Sequence, residues 1–313
     1  TEVALTHSTS EGISIVAWSR NWERGDEVVI SNQEHPANVF PWYQLRARFG
    51  IVIREIDLDA GTDVVAEVER VLAPTTRLVS LPHVSRNNGR RLTDAESLRL
   101  ATLLRARGIR FLLDGAQAPG AVPVHFARLG ADYYAACGHK WLLGPKGTGF
   151  LFVRRDVLDA TQISWAGAHS TTSMDYAGHF ALLPSAARFE FGTRALADFG
   201  GLLAAVRWME AFGRERVEAR VAELVGYAIE RAHVAGLALA SPEPRAERSG
   251  VFVIRLPAGS DAGAIYQRLA TEQRILGSPV RREGDFRLSI HFFNTRAEIA
   301  AAISALAEAA RSS

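Results

Sequence analysis

One cysteine in 313 residues excludes an internal disulfide and fits a reducing cytoplasm. The nine histidines are scattered, without cysteine or close histidine partners, so a structural zinc site is not expected. No apolar stretch approaches the length of a membrane span, and residue 1 opens no charged segment followed by an apolar one. Neither a membrane anchor nor a signal peptide is therefore expected. The formal net charge is +2, carried by arginines without a Lys/Arg run, which leaves no basic tract for nucleic acid. Internal repeats and low-complexity tracts are lacking. The glycine-rich stretch 144–149 lacks the Gly-x-x-x-x-Gly-Lys-Ser/Thr of a P-loop. Gly147-Thr148-Gly149 runs into Phe-Leu-Phe, so no dinucleotide fingerprint opens a helix there either.

What is present is 48% hydrophobic, enough for a sizeable core and a second, smaller one. Apolar runs at 27–31, 51–56, 76–81, 109–114, 131–135 and 149–153 read as buried strands. Amphipathic stretches at 37–49, 63–72 and 94–107 lie between them, with Gly50 and Gly108 as helix stops. This alternation predicts an α/β fold with a mostly parallel sheet flanked by helices, whose ligands sit beyond the carboxyl ends of the strands. Asp114, Ser85 and Cys137 fall at those ends. The helical run 195–212 is long enough to link two domains, and helix at 214–234 follows. Strands near 251–256 and 286–291 and helices at 261–272 and 295–309 complete a smaller α+β unit. The division predicted is 1–205 and 206–313, with 241–249 as a surface loop.

Chemistry concentrates around Lys140. Cys137-Gly138-His139-Lys140-Trp141 precedes Gly144-Pro145-Lys146-Gly147-Thr148-Gly149 and follows Asp114-Gly115-Ala116-Gln117-Ala118. Burial lowers a lysine's pKa toward the free amine that imine chemistry needs. A carboxylate ending a buried strand needs a partner, which a pyridinium N–H supplies. Together these are what a pyridoxal phosphate enzyme requires. Read singly, each residue has a plainer alternative: Lys140 a surface lysine, Asp114 a helix N-cap. Thr9 and Ser10, at a helix start, form an anion site or ordinary caps. His35 is a ring-stacking residue or a loop histidine. Arg287 is a carboxylate clamp or a surface ion pair. Thr193 is a phosphate contact or a cap.

Taken together the motifs resemble the class V aminotransferase family of fold-type I pyridoxal phosphate enzymes, in the branch of cysteine desulfurases, isopenicillin N epimerase-like proteins and cystine C–S lyases. The resemblance covers nearly the whole chain. It implies pyridoxal 5'-phosphate as cofactor, Lys140 as the Schiff-base lysine, Asp114 as the partner of the pyridine nitrogen and Gln117 as a contact to the ring hydroxyl. His35, in Glu34-His35-Pro36-Ala37-Asn38, would stack on the ring. Thr9, Ser10 and His139 would hold the phosphate, joined by Thr193 from the neighbouring subunit of a homodimer. Arg287 would bind the substrate carboxylate.

Four departures qualify that picture. Cysteine desulfurases carry a nucleophilic cysteine on a loop shortly before the substrate arginine, whereas 271–283 has none. Cys137 stands where the family has a phosphate-binding serine. Arg86, in His83-Val84-Ser85-Arg86-Asn87-Asn88-Gly89, replaces an asparagine near the ring. Either Asn87 shifts into that role or Arg86 meets a second acidic group on the substrate. The family also has several tens of residues ahead of its phosphate segment, and this chain opens almost at that segment. The expectation is an aminotransferase or an epimerase of the isopenicillin N epimerase type. A cysteine-independent C–S β-lyase is the alternative, and a non-catalytic scaffold with the same fold stays open.

Overall fold

A computed structural model describes residues 1–59, 61–280 and 284–311. The end of the stretch 271–283 thus lies outside the described residues. Seven strands form the main sheet: β1 (Val3–Thr6), β2 (Glu27–Ser31), β3 (Val52–Ile56), β4 (Thr76–Pro82), β5 (Arg110–Asp114), β6 (Tyr133–Cys137) and β7 (Gly149–Val153). Their order is β1-β7-β6-β5-β4-β2-β3. β3, β2, β4, β5 and β6 pair in parallel, and only β7, between β6 and β1, runs against its neighbours. The expected α/β class is what the chain adopts.

Alternate residues of each strand serve opposite faces. Val28, Ile30, Leu112, Tyr133 and Ala135 pack under α1 (Thr9–Ala17) and α2 (Phe40–Phe49), with Ile13, Trp42 and Leu45. Val29, Phe111, Leu113, Tyr134 and Ala136 face α3 (Val64–Val71) and α4 (Asp94–Ala106), through Val68, Leu100 and Leu104. A capping box of Thr93 and Glu96 starts α4, and Gly50, at φ +73°, ends α2. A short helix, α5 (Phe126–Leu129), precedes β6. That strand lies two residues later than the expected 131–135. Asp132 accepts the Phe111 N–H with its side chain at 2.8 Å, just ahead of the strand.

Beyond β7 a small two-stranded hairpin of β8 (Thr171–Met174) and β9 (Phe180–Leu182) leads to α6 (Leu196–Phe212) and α7 (Arg214–Val234). A second sheet orders β10 (Ala238–Leu239), β11 (Val251–Arg255), β13 (Asp285–Ser289) and β12 (Ser278–Pro279), all antiparallel. α7, α8 (Ala262–Glu272) and α9 (Arg296–Arg311) supply the rest of its core, with Leu224, Leu269, Ile303 and Leu306 fully or nearly buried. The proposed division after residue 205 falls inside the continuous helix α6, so the two units share an element.

The stretch 241–249 is only partly the surface loop expected. Its middle is exposed, but both ends are buried docking points. Ser241 Oγ donates to the Asn88 carbonyl at 2.7 Å and Ser249 Oγ to that of Gly89 at 2.9 Å. Gly89 has φ +73°, and a Cβ there would lie 2.0 Å from the Val251 carbonyl oxygen. The turn 85–89 is thereby locked against the second sheet.

Candidate active site

The site forms where β4, β5 and β6 end and the second sheet approaches. Asp114 closes β5, buried, and its Oδ1 accepts the Ala116 N–H at 2.8 Å. No helix starts directly after it, α5 beginning only at Phe126, so Asp114 is not a helix N-cap. Burial pushes its pKa up, and the same Ala116 N–H and the nearby Lys140 oppose the rise. Behind it Gly115 leaves room for an aromatic ring, since a Cβ there would lie 2.1 Å from Tyr134. The Tyr134 hydroxyl meets His83 Nδ1 at 2.8 Å, and burial followed by Arg91 lowers His83 to about 3, so its imidazole is neutral.

Glu34 is a second buried carboxyl in the neighbourhood, one passed over in the sequence. Its Oε1 accepts from Ser31 Oγ at 2.6 Å and its Oε2 from Asn38 Nδ2 at 2.7 Å. Burial pushes it up to about 8; those donors restrain the rise, and Asp114 adds to it. Its neighbour His35 accepts the Ala37 N–H on Nδ1 at 3.0 Å. His35 keeps an exposed edge, yet its ring is packed well enough to lower its pKa to about 4. Arg86, Lys140 and Arg287 add to that lowering, which puts all three cations around one imidazole.

Lys140 is half-buried, three residues past the end of β6, in a turn closed by the Gly144 N–H donating to the Gly138 carbonyl at 2.9 Å. Trp141 beside it donates Nε1–H to Gln117 Oε1 at 2.8 Å, which leaves the Gln117 amide nitrogen to donate elsewhere. The Trp141 carbonyl lies 3.1 Å from His291 Nε2 of the second unit. Cys137 is buried, and burial raises its thiol; the Thr9 hydroxyl faces it without a hydrogen bond of sound geometry. Thr9 Oγ1 is thus a buried polar atom lacking a partner among the described residues, at the first residue of α1. Ser8, rather than Thr9 or Ser10, caps that helix, accepting the Glu11 N–H at 3.2 Å. Ser10 and His139 are exposed.

Arg287 lies on β13 opposite Val253, and its Nη1 donates to the Arg86 carbonyl at 3.4 Å. Asn87, next to Arg86, is buried with Oδ1 lacking a partner among the described residues. Thr193 is exposed ahead of α6, whose N-cap is Ala195, so it is not the cap. Arg194, unremarked in the sequence, is more telling. Its Nη1 lies 3.1 Å from His7 Nδ1 and 3.6 Å from Glu11, while its buried Nε and Nη2 lack partners among the described residues. A basic residue directly after Gly192-Thr193 was the available signal.

An aminotransferase class-V family model matches residues 1–301. The probable cysteine desulfurase of Methanothermobacter thermautotrophicus is 35% identical over 69% of this chain and 53% of its own length, so the chain spans about half of that relative. Isopenicillin N epimerase of Amycolatopsis lactamdurans is 32% identical over 98% of this chain and 80% of its own. Among solved structures, the cystine C–S lyase C-DES, seen with its product cysteine persulfide, superposes with a TM-score of 0.90 at 29% identity, over 98% of this chain and 81% of that one. Another structure of C-DES holds glycine linked covalently to its PLP cofactor.

Proposed function

Because the chain belongs to the aminotransferase class-V family, we propose that it is a pyridoxal 5'-phosphate enzyme acting at the Cα of an amino-acid substrate. The observation that carries the reading is the convergence of Lys140, Asp114, His35 and an unpartnered Thr9 hydroxyl at the ends of β5 and β6. That donor set fits the cofactor: an amine to tether it, a carboxylate for the ring nitrogen, a flat neutral ring to stack on it and hydroxyls at a helix start for its phosphate. Bound there, the cofactor supplies an electron sink for the bond broken at Cα.

The protein's own groups do the rest. Asp114 holds a proton on the ring nitrogen, and its buried charge is compensated by that N–H and by Lys140. Lys140 Nζ would tether the cofactor and, when not bonded to it, would serve as the base that moves the Cα proton. Arg287 grips the α-carboxylate. The Gln117 amide nitrogen reaches the ring hydroxyl, while Thr9, Ser10, His139 and the free N–H groups of α1 hold the phosphate. Cys137 lines that end in the position of a serine.

Transamination or epimerisation is our first reading. Likeness to C-DES favours a second, C–S β-elimination without a cysteine nucleophile. The chain's one thiol is buried with a raised pKa, which disfavours a persulfide route. Exposed Trp165, Met174, Tyr176 and Phe180, on and just before the β8–β9 hairpin, support a homodimer in which that face is covered and Thr193 serves the partner's phosphate.

The test is to load the protein with the cofactor, follow its visible band, and offer a panel of amino acids. Keto acid marks transamination, loss of optical activity marks epimerisation, and sulfide with pyruvate marks elimination. Absence of the band, or turnover unaffected in Lys140→Ala, would overturn the proposal.

A further inference from the structure

Building on the preceding reading, we infer that the substrate carries a second carboxylate, on its side chain, and that Arg86 is the residue that selects it. Arg86 is held in place from two sides. Ser85 Oγ accepts the N–H groups of Asn87 and Asn88 at 3.1 and 3.2 Å and donates to Gln33 Oε1 at 3.1 Å. Gln33 stands two residues before His35, so the turn bearing Arg86 is fixed to the segment bearing the stacking ring. From the other side, Arg287 reaches across from β13 to the Arg86 carbonyl.

Charge in this corner does not balance. Arg86, Arg287 and Lys140 all act on His35, and Arg86 acts on Arg287. Among the described residues neither guanidinium forms an ion pair with a carboxylate, although their neighbours Arg90 and Arg91 pair with Glu96 and Asp94. The nearby acids are committed. Asp114 is assigned to the ring nitrogen, and both oxygens of Glu34 accept from Ser31 and Asn38. The cofactor's phosphate belongs at the start of α1. One substrate α-carboxylate satisfies one guanidinium, and the second arginine then lies half-buried beside a like charge without a counter-ion. A side-chain carboxylate supplies that counter-ion; an amide of the same shape does not, because a guanidinium has donors only and prefers a charged acceptor.

The experiment compares isosteric pairs on the loaded enzyme: L-glutamate with L-glutamine, and L-aspartate with L-asparagine. Wild type should favour the acid of at least one pair by roughly 10- to 100-fold in kcat/KM, the worth of a charged hydrogen bond. Arg86→Asn should bring that ratio near one, with the loss in KM for the acid, and Arg86→Lys should restore part of it. Calorimetry with succinate against succinamate reads the same selectivity without turnover: succinate binds more tightly to wild type, and the two bind alike to Arg86→Asn. Equal affinity of the two in wild type, or a preference that survives Arg86→Asn, would overturn the inference. If succinate is preferred but no amino acid turns over, the catalytic reading has failed and the selectivity stands.

Discussion

The two ends of the site are built differently. The carboxylate end, with Asp114, Glu34, His83 and Tyr134, is buried in the main sheet, and each group has a partner a few ångströms away. The guanidinium end, with Arg86 and Arg287, is half-exposed and joins residues 201 positions apart in sequence, one in the turn after β4 and one on the second sheet. A sheet interior fixes geometry through many hydrogen bonds at once, so it suits the groups every reaction of this kind needs. A seam between two units tolerates replacement of a side chain, so it suits the groups that choose a substrate.

That contrast is open to direct attack. Lys140→Ala should cut turnover of every amino acid by at least ~10^3-fold with unchanged circular dichroism, since it removes both tether and base. Asp114→Asn should lower kcat by about 10^2-fold or more for acidic and neutral substrates alike, measured under cofactor saturation. An Asp114 effect confined to one substrate class would erase the distinction between the two ends. Gly89→Ala places a Cβ against the Val251 carbonyl at a positive φ. It should lower stability by roughly 2 kcal/mol and raise KM by loosening the turn that carries Arg86, read by denaturant unfolding and initial rates.

The last effect is on stability alone and concerns Glu34. Its folded pKa of about 8 stands above the ordinary 4.5, so between those values the folded chain keeps a proton that the unfolded chain releases. Stability present below pH ~4.5 is therefore lost as pH rises toward ~8. Glu34→Gln removes this slope, and relative to wild type the variant should gain roughly 3 kcal/mol between pH 5 and pH 8 in chemical denaturation. A parallel pH dependence in both proteins would mean that the carboxyl stays ionised in the fold.

Much of the scaffold was legible because the parallel strands and their helices differ in period. β2 and β7 match the runs 27–31 and 149–153, and α7 matches 214–234. β6 slipped because Tyr133–Cys137 is apolar without alternation, and such a run does not mark its own ends. β1 and the β8–β9 hairpin are short, and nothing local sets them apart; β1 exists because β7 offers it an edge. At the candidate site, Lys140 and Asp114 stood out through their motifs, and His35 through the family resemblance alone. Glu34 and Arg194 were not, because burial of a charged side chain is decided by neighbours distant in sequence. The docking of 241–249 onto the turn 85–89 was hidden for the same reason.

The central claim, that Lys140 is the residue bonded to the cofactor, has a direct test because the chain has only two lysines, Lys140 and Lys146. Borohydride reduction of the loaded protein followed by peptide mass mapping should place one pyridoxyl group on the Lys140 peptide and none on the Lys146 peptide. Labelling at Lys146 instead, or an unlabelled Lys140 peptide from protein that shows the visible band, would contradict the account.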